Sequence, residues 1–314
     1  MTERLARLVK RSKILVYESG ILPRMLHTPV LLTEIMQFVR ECERPIRFGL
    51  DVTFGRGGHT RALLEQFSDL KMTAVDRDLD ALAYAKLEFA DWIAQDRLRL
   101  QHGNFHADVP MPSEQDGWDF ILADLGVSSP QLDRPERGFS FYHEGPLDMR
   151  MDQTQAFTAA DIVNTWPAED MVQLFKELGE LRRPHRVVQR IVEFRRERPF
   201  ATTRELSELI ERAEGWRKKG HHPATQYFLA LRLEVNQELG DLRLAAERLI
   251  HSLAPQGRLL IITFHSLEDR IIKYAFKESA LGTPVNKKVV VPERQECVDN
   301  PRARSAKLRV FRRG

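Results

Sequence analysis

The chain has 314 residues, a formal net charge of +3 and 42% hydrophobic residues, which is typical of a soluble globular protein with one large and one small domain. No stretch reaches the roughly 18 apolar residues that a membrane-spanning helix needs, so no membrane partner is expected. Cys42 and Cys297 form no CxxC or cluster motif. This argues against a disulfide framework, a zinc ribbon or an iron–sulfur enzyme and favours a reducing, cytoplasmic compartment.

The chain begins with a basic extension, residues 1–26, that lacks the apolar core of a signal peptide. A helix is predicted to follow it, because Thr28 can cap a helix and Pro29 suits its first turn. Strand and helix signals then alternate. The predicted strands cover residues 46–54, 71–78, 98–105 and 118–127. This rhythm predicts an α/β protein with a doubly wound, mainly parallel sheet of Rossmann-like type.

The alternation stops after residue 134. Residues 135–221 show helical patterns without a strong strand signal, which predicts a helical domain inserted between two parts of one α/β domain, 27–134 and 222–314. The second part is predicted to hold one long helix and three more strands. These cover residues 226–253, and then 257–266, 287–293 and 307–313.

Basic residues are concentrated in two segments, 182–198 and 286–314. Local basic stretches in a nearly neutral protein indicate a polyanionic partner. A solvated helix face and a basic tail are the alternative interpretation.

A glycine-rich loop, DVTFGRGGHT at residues 51–60, follows the first predicted strand and opens a helix. Gly55, Gly57 and Gly58 allow a tight turn and a close approach to a ligand, and the helix N-terminus offers backbone amides. This strand–turn–helix context is where doubly wound folds bind nucleotides, although the spacing is not GxGxxG. The loop therefore predicts a nucleotide-type cofactor site.

The second and third predicted strands add two candidate cofactor residues. Asp76 ends the second strand, where an acid accepts hydrogen bonds from ribose hydroxyls; this fits NAD or S-adenosylmethionine and disfavours NADP. Phe105 follows the third strand and either lies against an adenine or is an ordinary core aromatic. His102 and His106 are spaced i, i+4, but they stand at a strand end, so no metal site is predicted.

The fourth predicted strand ends on Asp124 and runs into DLGVSSPQLD. Enzymes that methylate the exocyclic amines of bases often carry an acid or amide followed by PP(Y/F) at this edge of the sheet. The amine is a poor nucleophile because its lone pair is delocalised into the ring. An oxygen that accepts its N–H groups localises the lone pair and aims it at the methyl group. Asp124 fits this pattern, whereas the PPY residues are missing.

Ten blocks of sequence resemble the MraW family, the family of ribosomal RNA small subunit methyltransferase H. They run in the family's order from residue 27 almost to the C-terminus. The blocks are HTPVLLTE (27–34), DVTFGRGGHT (51–60), AVDRD (74–78), DLGVSSPQLD (124–133), RGFSF with GPLDMRMD (137–152), HPAT (222–225), VNQEL (235–239), FHSLEDRIIK (264–273) and NPRARSAKLR (300–309). The family's basic helix differs here, starting as GELRRPHR, and Gln226 replaces an arginine.

The resemblance implies a Rossmann-like class I methyltransferase that uses S-adenosyl-L-methionine to methylate N4 of a cytidine in 16S ribosomal RNA, in the decoding region of the small subunit. It also implies that the inserted domain recognises RNA. Carried over block by block, the family's cofactor residues are Gly57, Gly58, His59, Asp76, Phe105, Asp124 and Gln131. Asp124 is in addition the candidate catalytic residue, and it either binds the cofactor, orients the base, or does both.

Several roles stay open on the sequence alone. Phe139, Phe141 and Tyr142 either hold a flipped cytosine or seat the inserted domain on the sheet. In FHSLEDR, His265, Glu268 and Asp269 serve either as a proton relay or RNA contact or in a structural role. The structural role is favoured, with Ser266 expected to cap a helix whose first turn holds acids.

Three competing functions remain open as well. They are a nicotinamide-dependent dehydrogenase, a DNA amino-methyltransferase, and an RNA-binding ribosome-assembly factor that does not methylate. The glycine spacing argues against the first and the absence of PPY against the second.

Overall fold

The computed structural model describes residues 29–107, 109–112, 116–215 and 222–314. The basic extension and the expected cap at Thr28 lie outside these ranges. Within them, the first helix, α1, begins at Leu32 and ends at Arg40, and its residues Ile35, Met36 and Val39 are buried.

A seven-stranded sheet organises the described residues, with the strand order β3-β2-β1-β4-β5-β7-β6. Its strands are β1 (Phe48–Asp51), β2 (Lys71–Asp76), β3 (Leu98–His102), β4 (Trp118–Asp124), β5 (Leu253–Thr263), β6 (Gly282–Pro284) and β7 (Lys307–Arg313). The first five strands are parallel, and β7 runs antiparallel to both β5 and β6. The predicted doubly wound, mainly parallel Rossmann-like sheet is confirmed.

Helices cover both faces of the sheet and form a separate cluster. After α1 they are α2 (Gly58–Gln66), α3 (Leu79–Glu88), α4 (Ala90–Ala94), α5 (Ser129–Asp133), α6 (Ala159–Thr165), α7 (Ala168–Glu177), α8 (His185–Glu197), α9 (Thr203–Glu214), α10 (Thr225–Val235), α11 (Leu242–Ser252), α12 (Ser266–Glu278) and α13 (Arg294–Asp299).

The sheet has an apolar core on each face. One core joins α1, α2 and α3 to the strands, and the other joins α11 and α12 to them. Residues 118–123 of β4 are buried without interruption. A continuous apolar run is what a strand covered on both faces requires, which explains why FILA does not alternate with polar residues.

A third apolar core holds the helical cluster and extends from Phe139 to Val235. It therefore includes α10, which begins after the predicted domain boundary at residue 221. The reason is packing: Tyr227 of α10 is fully buried and lies edge-on to Phe175 of α7, with 4.9 Å between the ring centroids. The exact domain limits remain a prediction.

Two details of the expected secondary structure are wrong. The long helix over 226–253 is two helices, because Asn236 leaves the helix and donates from Nδ2 to the Met149 carbonyl at 2.7 Å. Gln237 next to it adopts a φ of 49°. The expected strand over 287–293 is absent from the sheet, where Val290 makes only an isolated bridge to β7.

Candidate active site

Three neighbouring strands of the sheet end on an aspartate. Asp51 ends β1, Asp76 ends β2 and Asp124 ends β4. The strands are parallel and adjacent in the order β2-β1-β4. Their last residues therefore meet at one edge, the carboxyl edge, where doubly wound folds bind ligands.

The glycine loop crosses this edge between β1 and α2. Gly55 and Gly57 have positive φ angles of 55° and 66°, which glycine adopts without strain. A Cβ on Gly57 would lie 2.3 Å from the Phe54 ring, and one on Gly58 would lie 2.5 Å from Pro29. Gly57 precedes α2 without a side-chain cap, so the N-terminus of α2 keeps backbone donors for a ligand.

Asp76 holds the glycine loop in place. Its Oδ2 accepts from the Gly55 amide at 2.7 Å, and its Oδ1 accepts from the Asp78 amide at 2.8 Å. Burial raises the pKa of Asp76, although these two amides act in the opposite direction. Each carboxylate oxygen can accept a further hydrogen bond, so Asp76 remains able to bind ribose hydroxyls.

Asp124 differs from the other two strand-ending aspartates because no donor among the described residues reaches its carboxyl group. Its Oδ1 is buried and has no hydrogen-bond partner among the described residues. Its side chain as a whole is 28% exposed, so one part of it faces open space. Burial raises the pKa of Asp124 to about 8, and the charges of Asp51 and Glu268 add to the effect. Such a group can exchange a proton near neutral pH.

His59 faces Asp124 as a second acceptor. Its Nε2 lies 2.9 Å from the Val30 carbonyl, which can only accept, so Nε2 carries the hydrogen. Burial lowers the pKa of His59 to about 4, which leaves the ring neutral and Nδ1 without a hydrogen. Nδ1 lies 3.8 Å from Asp124 Oδ2, too far for a hydrogen bond. The two side chains thus present acceptors to a common space.

Two further carboxyl groups, those of Asp51 and Glu268, contribute to the raised pKa of Asp124. Asp51 accepts from Thr60 Oγ1 at 2.6 Å and from the Thr53 amide at 3.1 Å, while burial raises its pKa to about 6. Glu268 is buried in the first turn of α12. Burial alone would raise the pKa of Glu268, but hydrogen bonds from His265 and backbone amides outweigh burial and hold it low. Glu268 is therefore an anion near Asp124.

Gln131 is bonded within the protein. Its Oε1 accepts from the Ser128 amide at 2.9 Å, which completes the capping box of α5, and its Nε2 donates to Asp78 Oδ2 at 2.8 Å. The buried Arg137 donates to the same oxygen at 2.8 Å and also to the Met151 carbonyl at 3.0 Å. Gln131 thus ties the loop after Asp124 to α3, and Arg137 ties α3 to the helical cluster.

The aromatic candidates are divided between core and surface. Phe105 is 9% exposed and belongs to the apolar core shared with α11 and α12. Phe139 is buried in the helical core, which favours the seating role. Phe141 stacks on His222 with 4.4 Å between the ring centroids. Tyr142 is 74% exposed and is thus the only one of the four open to a stacking partner.

Sequence reasoning missed two residues of this site, Asp51 and Arg137, and it favoured a purely structural role for Glu268. Asp51 could have been found, since it ends a strand just as Asp76 and Asp124 do. The expected cap at Ser266 is wrong: His265 is the N-cap of α12, and its side chain and that of Glu268 form a capping box. An imidazole nitrogen replaces the hydroxyl as the acceptor. Histidine is not one of the residues usually found at this position, so the cap could not be predicted from residue preferences.

The described residues contain neither a group of metal ligands nor a membrane-spanning helix. Among the described residues, no three His, Cys, Asp or Glu side chains are grouped as metal ligands. The helices within the same ranges are also too short or too polar to cross a bilayer. A groove of about 650 Å³ lies between α7 and α8, and none of the three aspartates lines it.

Comparison with known proteins identifies the family. Residues 24–314 match the MraW methylase family. Ribosomal RNA small subunit methyltransferase H of Bdellovibrio bacteriovorus is 50% identical over 291 residues, covering 91% of this chain and 88% of that protein. The protein of the same name from Crocosphaera subtropica is 46% identical over 293 residues, covering 93% and 90%.

Solved structures resemble this chain only weakly and at low sequence identity. A putative rRNA methylase of Clostridium thermocellum has a TM-score of 0.43 at 10% identity, covering 92% of this chain and all of that one. An rRNA methylase of Streptococcus thermophilus has a TM-score of 0.39 at 13% identity, covering 89% and 94%. Likenesses this weak carry no argument about the site.

The residues at the carboxyl edge fit the cofactor of a methylase. S-Adenosyl-L-methionine carries an ammonium group, a sulfonium charge and ribose hydroxyls, and the site offers unfilled acceptors on Asp124, His59 and Asp76. Its carboxylate suits the N-terminus of α2. From residue 24 to its last residue, the chain belongs to the MraW methylase family, whose cofactor is S-adenosyl-L-methionine.

Proposed function

We propose that this protein methylates N4 of a cytidine in 16S ribosomal RNA, in the decoding region of the small ribosomal subunit. Two kinds of observation support the proposal. Relatives that are 43–50% identical bear the name ribosomal RNA small subunit methyltransferase H. The single structural observation that carries it is the carboxyl group of Asp124, whose buried Oδ1 has no partner among the described residues and whose side chain is 28% exposed at the carboxyl edge of the sheet.

Seven residues are proposed to hold the cofactor: Gly57, Gly58, His59, Asp76, Phe105, Asp124 and Gln131. The glycines and the N-terminus of α2 receive its carboxylate, and Asp76 receives its ribose. Phe105 forms one wall of the adenine site, on the side of the apolar core shared with α11 and α12. Gln131 acts by fixing the loop after Asp124, since both ends of its amide are bonded to the protein.

When bound, S-adenosyl-L-methionine would supply an electrophilic methyl group to the site. Asp124 accepts an N–H of the cytosine amine, which localises the nitrogen lone pair and aims it at the methyl carbon. As the N–C bond forms, the bond from the methyl carbon to the cofactor sulfur would break, and its electron pair would stay on the sulfur. The nitrogen then carries one proton too many. The Asp124 carboxylate, with a pKa of about 8 before substrate binds, takes that proton. The neutral His59 cannot compete for it, because its pKa is about 4.

The helical cluster is proposed to recognise the RNA, with the methyltransferase domain formed by residues 27–134 and 222–314. A ribosomal substrate implies a cytoplasmic enzyme. The cluster is joined to the site through Arg137, which bonds to Asp78 on the sheet side and to Met151 on the cluster side. This link supports a role for the cluster in presenting the base to Asp124.

Labelled S-adenosyl-L-methionine tests the function when it is offered with assembled small subunits, naked 16S RNA or DNA in separate reactions. We expect label on N4 of one cytidine of the small-subunit RNA, identified by nuclease digestion and mass spectrometry. Label on DNA alone would indicate a DNA amino-methyltransferase. Tight RNA binding without any label would indicate an assembly factor. Either outcome would overturn the proposal.

A further inference from the structure

One face of α12 carries a row of basic side chains. Arg270, Lys273, Tyr274 and Lys277 are spaced by three and four residues, which places them on one side of the helix, and all four are exposed. The opposite side is buried and consists of Ile272, Ala275 and Phe276. We call the four exposed residues the α12 row. Lys273 Nζ lies 6.0 Å from the centre of the Tyr274 ring, so an aromatic surface accompanies the charges.

The α12 row begins at the active site. α12 is capped by His265 and holds Glu268 in its first turn, and the charge of Glu268 contributes to the raised pKa of Asp124. Arg270 is two residues beyond Glu268 in the same helix. The α12 row therefore begins within one helical turn of a residue whose charge acts on Asp124.

A second basic group approaches from the helical cluster. Arg182, Arg183 and Arg186 precede or begin α8, and all three are exposed. Within the part of the chain that the structure describes, none of the three has an ion pair or a side-chain hydrogen bond. We call them the α8 arginines. Guanidinium groups left without protein partners are free to bind phosphates.

Glu180 joins the two groups. Ser266 Oγ donates to Glu180 Oε2, and Arg270 Nη2 lies 3.7 Å from Glu180 Oε1. Glu180 precedes Arg182 by two residues, so these contacts hold the α8 arginines beside the first turn of α12. Among the described residues, Glu180 is the only acid that pairs with the α12 row, and it does so through Arg270. The six basic side chains of the two groups therefore carry an excess of positive charge.

We propose that the α12 row and the α8 arginines together form an RNA-binding strip, on which phosphates flanking the target base are held. The strip deepens the proposed function and rests on it. Its charge supplies the counterion release that drives binding to a phosphate backbone, and Tyr274 offers a base-stacking surface. The strip therefore consists of one segment from the sheet domain and one from the helical cluster, and the RNA lies across their junction.

Two double variants test the strip: Lys273→Gln with Lys277→Gln, and Arg182→Gln with Arg186→Gln. The matched control is Lys86→Gln with Arg99→Gln, which removes two exposed charges near the β3 edge. We expect each test variant to raise KM for the RNA substrate about tenfold, with kcat and the Kd for S-adenosyl-L-methionine unchanged. The slope of log affinity against log salt should fall by about 0.7 for each single-strand phosphate that the variant no longer neutralises.

The possible results distinguish a failure of the RNA-binding strip from a failure of the proposed function. If the wild type labels ribosomal RNA and both variants behave like the control, the charges are a solvated face and the strip is overturned while the function stands. An effect of only one pair overturns the two-segment surface. If the wild type labels no ribosomal RNA although it binds cofactor, both proposals fall. Equal melting temperatures of all variants confirm that the comparison is between folded proteins.

Discussion

Asp119 and Asp124 lie near opposite ends of β4, and their surroundings differ completely. Asp119 Oδ2 accepts from the Arg47 and Phe48 amides at 2.7 and 2.8 Å, and Oδ1 lies 2.5 Å from Arg44 Nε. Asp124 has a buried Oδ1 with no partner among the described residues and faces the acceptor atom of His59. The first carboxylate is stabilised by protein donors, whereas the second lacks them.

The contrast shows how one strand serves two purposes. At the amino end of β4, the carboxylate fixes the start of β1, so its hydrogen bonds stabilise the fold. At the carboxyl end, the absence of donors costs folding free energy and leaves a group ready to accept from a ligand. An unsatisfied buried acid is thus a better guide to the reacting centre than an acid as such.

The largest expected effect on stability is at Asp119. Asp119→Ala removes an acceptor from two backbone amides and the ion-pair partner of Arg44, which still donates to the Pro255 carbonyl. Breaking a fully buried ion pair costs about 3–5 kcal/mol, and because Arg44 is 24% exposed we expect a loss at the lower end. Urea unfolding measures the loss against Asp116→Ala, an exposed control in the turn before β4. Methyl transfer per folded molecule should not change. A variant that keeps its stability but loses activity would show that Asp119 also serves the reaction.

The next effect concerns pH and Asp124. The base must accept a proton, so its carboxylate form is active, and its pKa in the free enzyme is about 8. We expect kcat/KM to rise about tenfold for each pH unit up to pH 8, because kcat/KM reports the free enzyme. Initial rates from about pH 6 to 9 measure this rise. A profile that is flat below pH 8 would contradict the assignment.

The smallest expected effect is a gain in stability. Between about pH 4 and 8 the unfolded chain loses the Asp124 proton while the folded protein keeps it, so the free energy of unfolding decreases as pH rises. Asp124→Asn removes this penalty. We expect its melting temperature without ligands to exceed that of the wild type at pH 8 by about 2–4 °C for each kcal/mol relieved. At pH 4 the two proteins should melt together, and an equal gain at both values would contradict the ionisation argument.

The sheet and the glycine loop were predictable because their signals are local. Continuous apolar runs indicated the buried strands, and the place of Gly57 in a glycine loop could be predicted from its position between a strand and a helix. The end of α10 could not be predicted, because Asn236 is fixed by hydrogen bonds to the backbone of Met149 and Met151, which are distant in sequence. Local helical periodicity therefore continued across a point where tertiary hydrogen bonds end the helix.

The positions of the candidate site residues could be predicted from the sequence, but the charge states of their side chains could not. Asp76 and Asp124 could be named from their places at strand ends. The raised pKa of Asp124 depends on burial and on Asp51 and Glu268, which approach it through space from other elements. The neutral state of His59 likewise follows from burial and from the carbonyl of Val30. Such effects need coordinates, because they depend on distances between side chains rather than on spacing in sequence.

The central claim is that Asp124 acts on the cytosine amine and does more than hold the cofactor. Single-turnover methyl transfer by Asp124→Asn, measured beside the Kd for S-adenosyl-L-methionine on the same preparation, tests it most directly. At saturating S-adenosyl-L-methionine we predict a rate about 10²–10³-fold below the wild type, comparable with the loss of one preorganised electrostatic contact, which any increase in the Kd cannot explain because the cofactor site is full. Normal cofactor binding together with normal methyl transfer would contradict the claim.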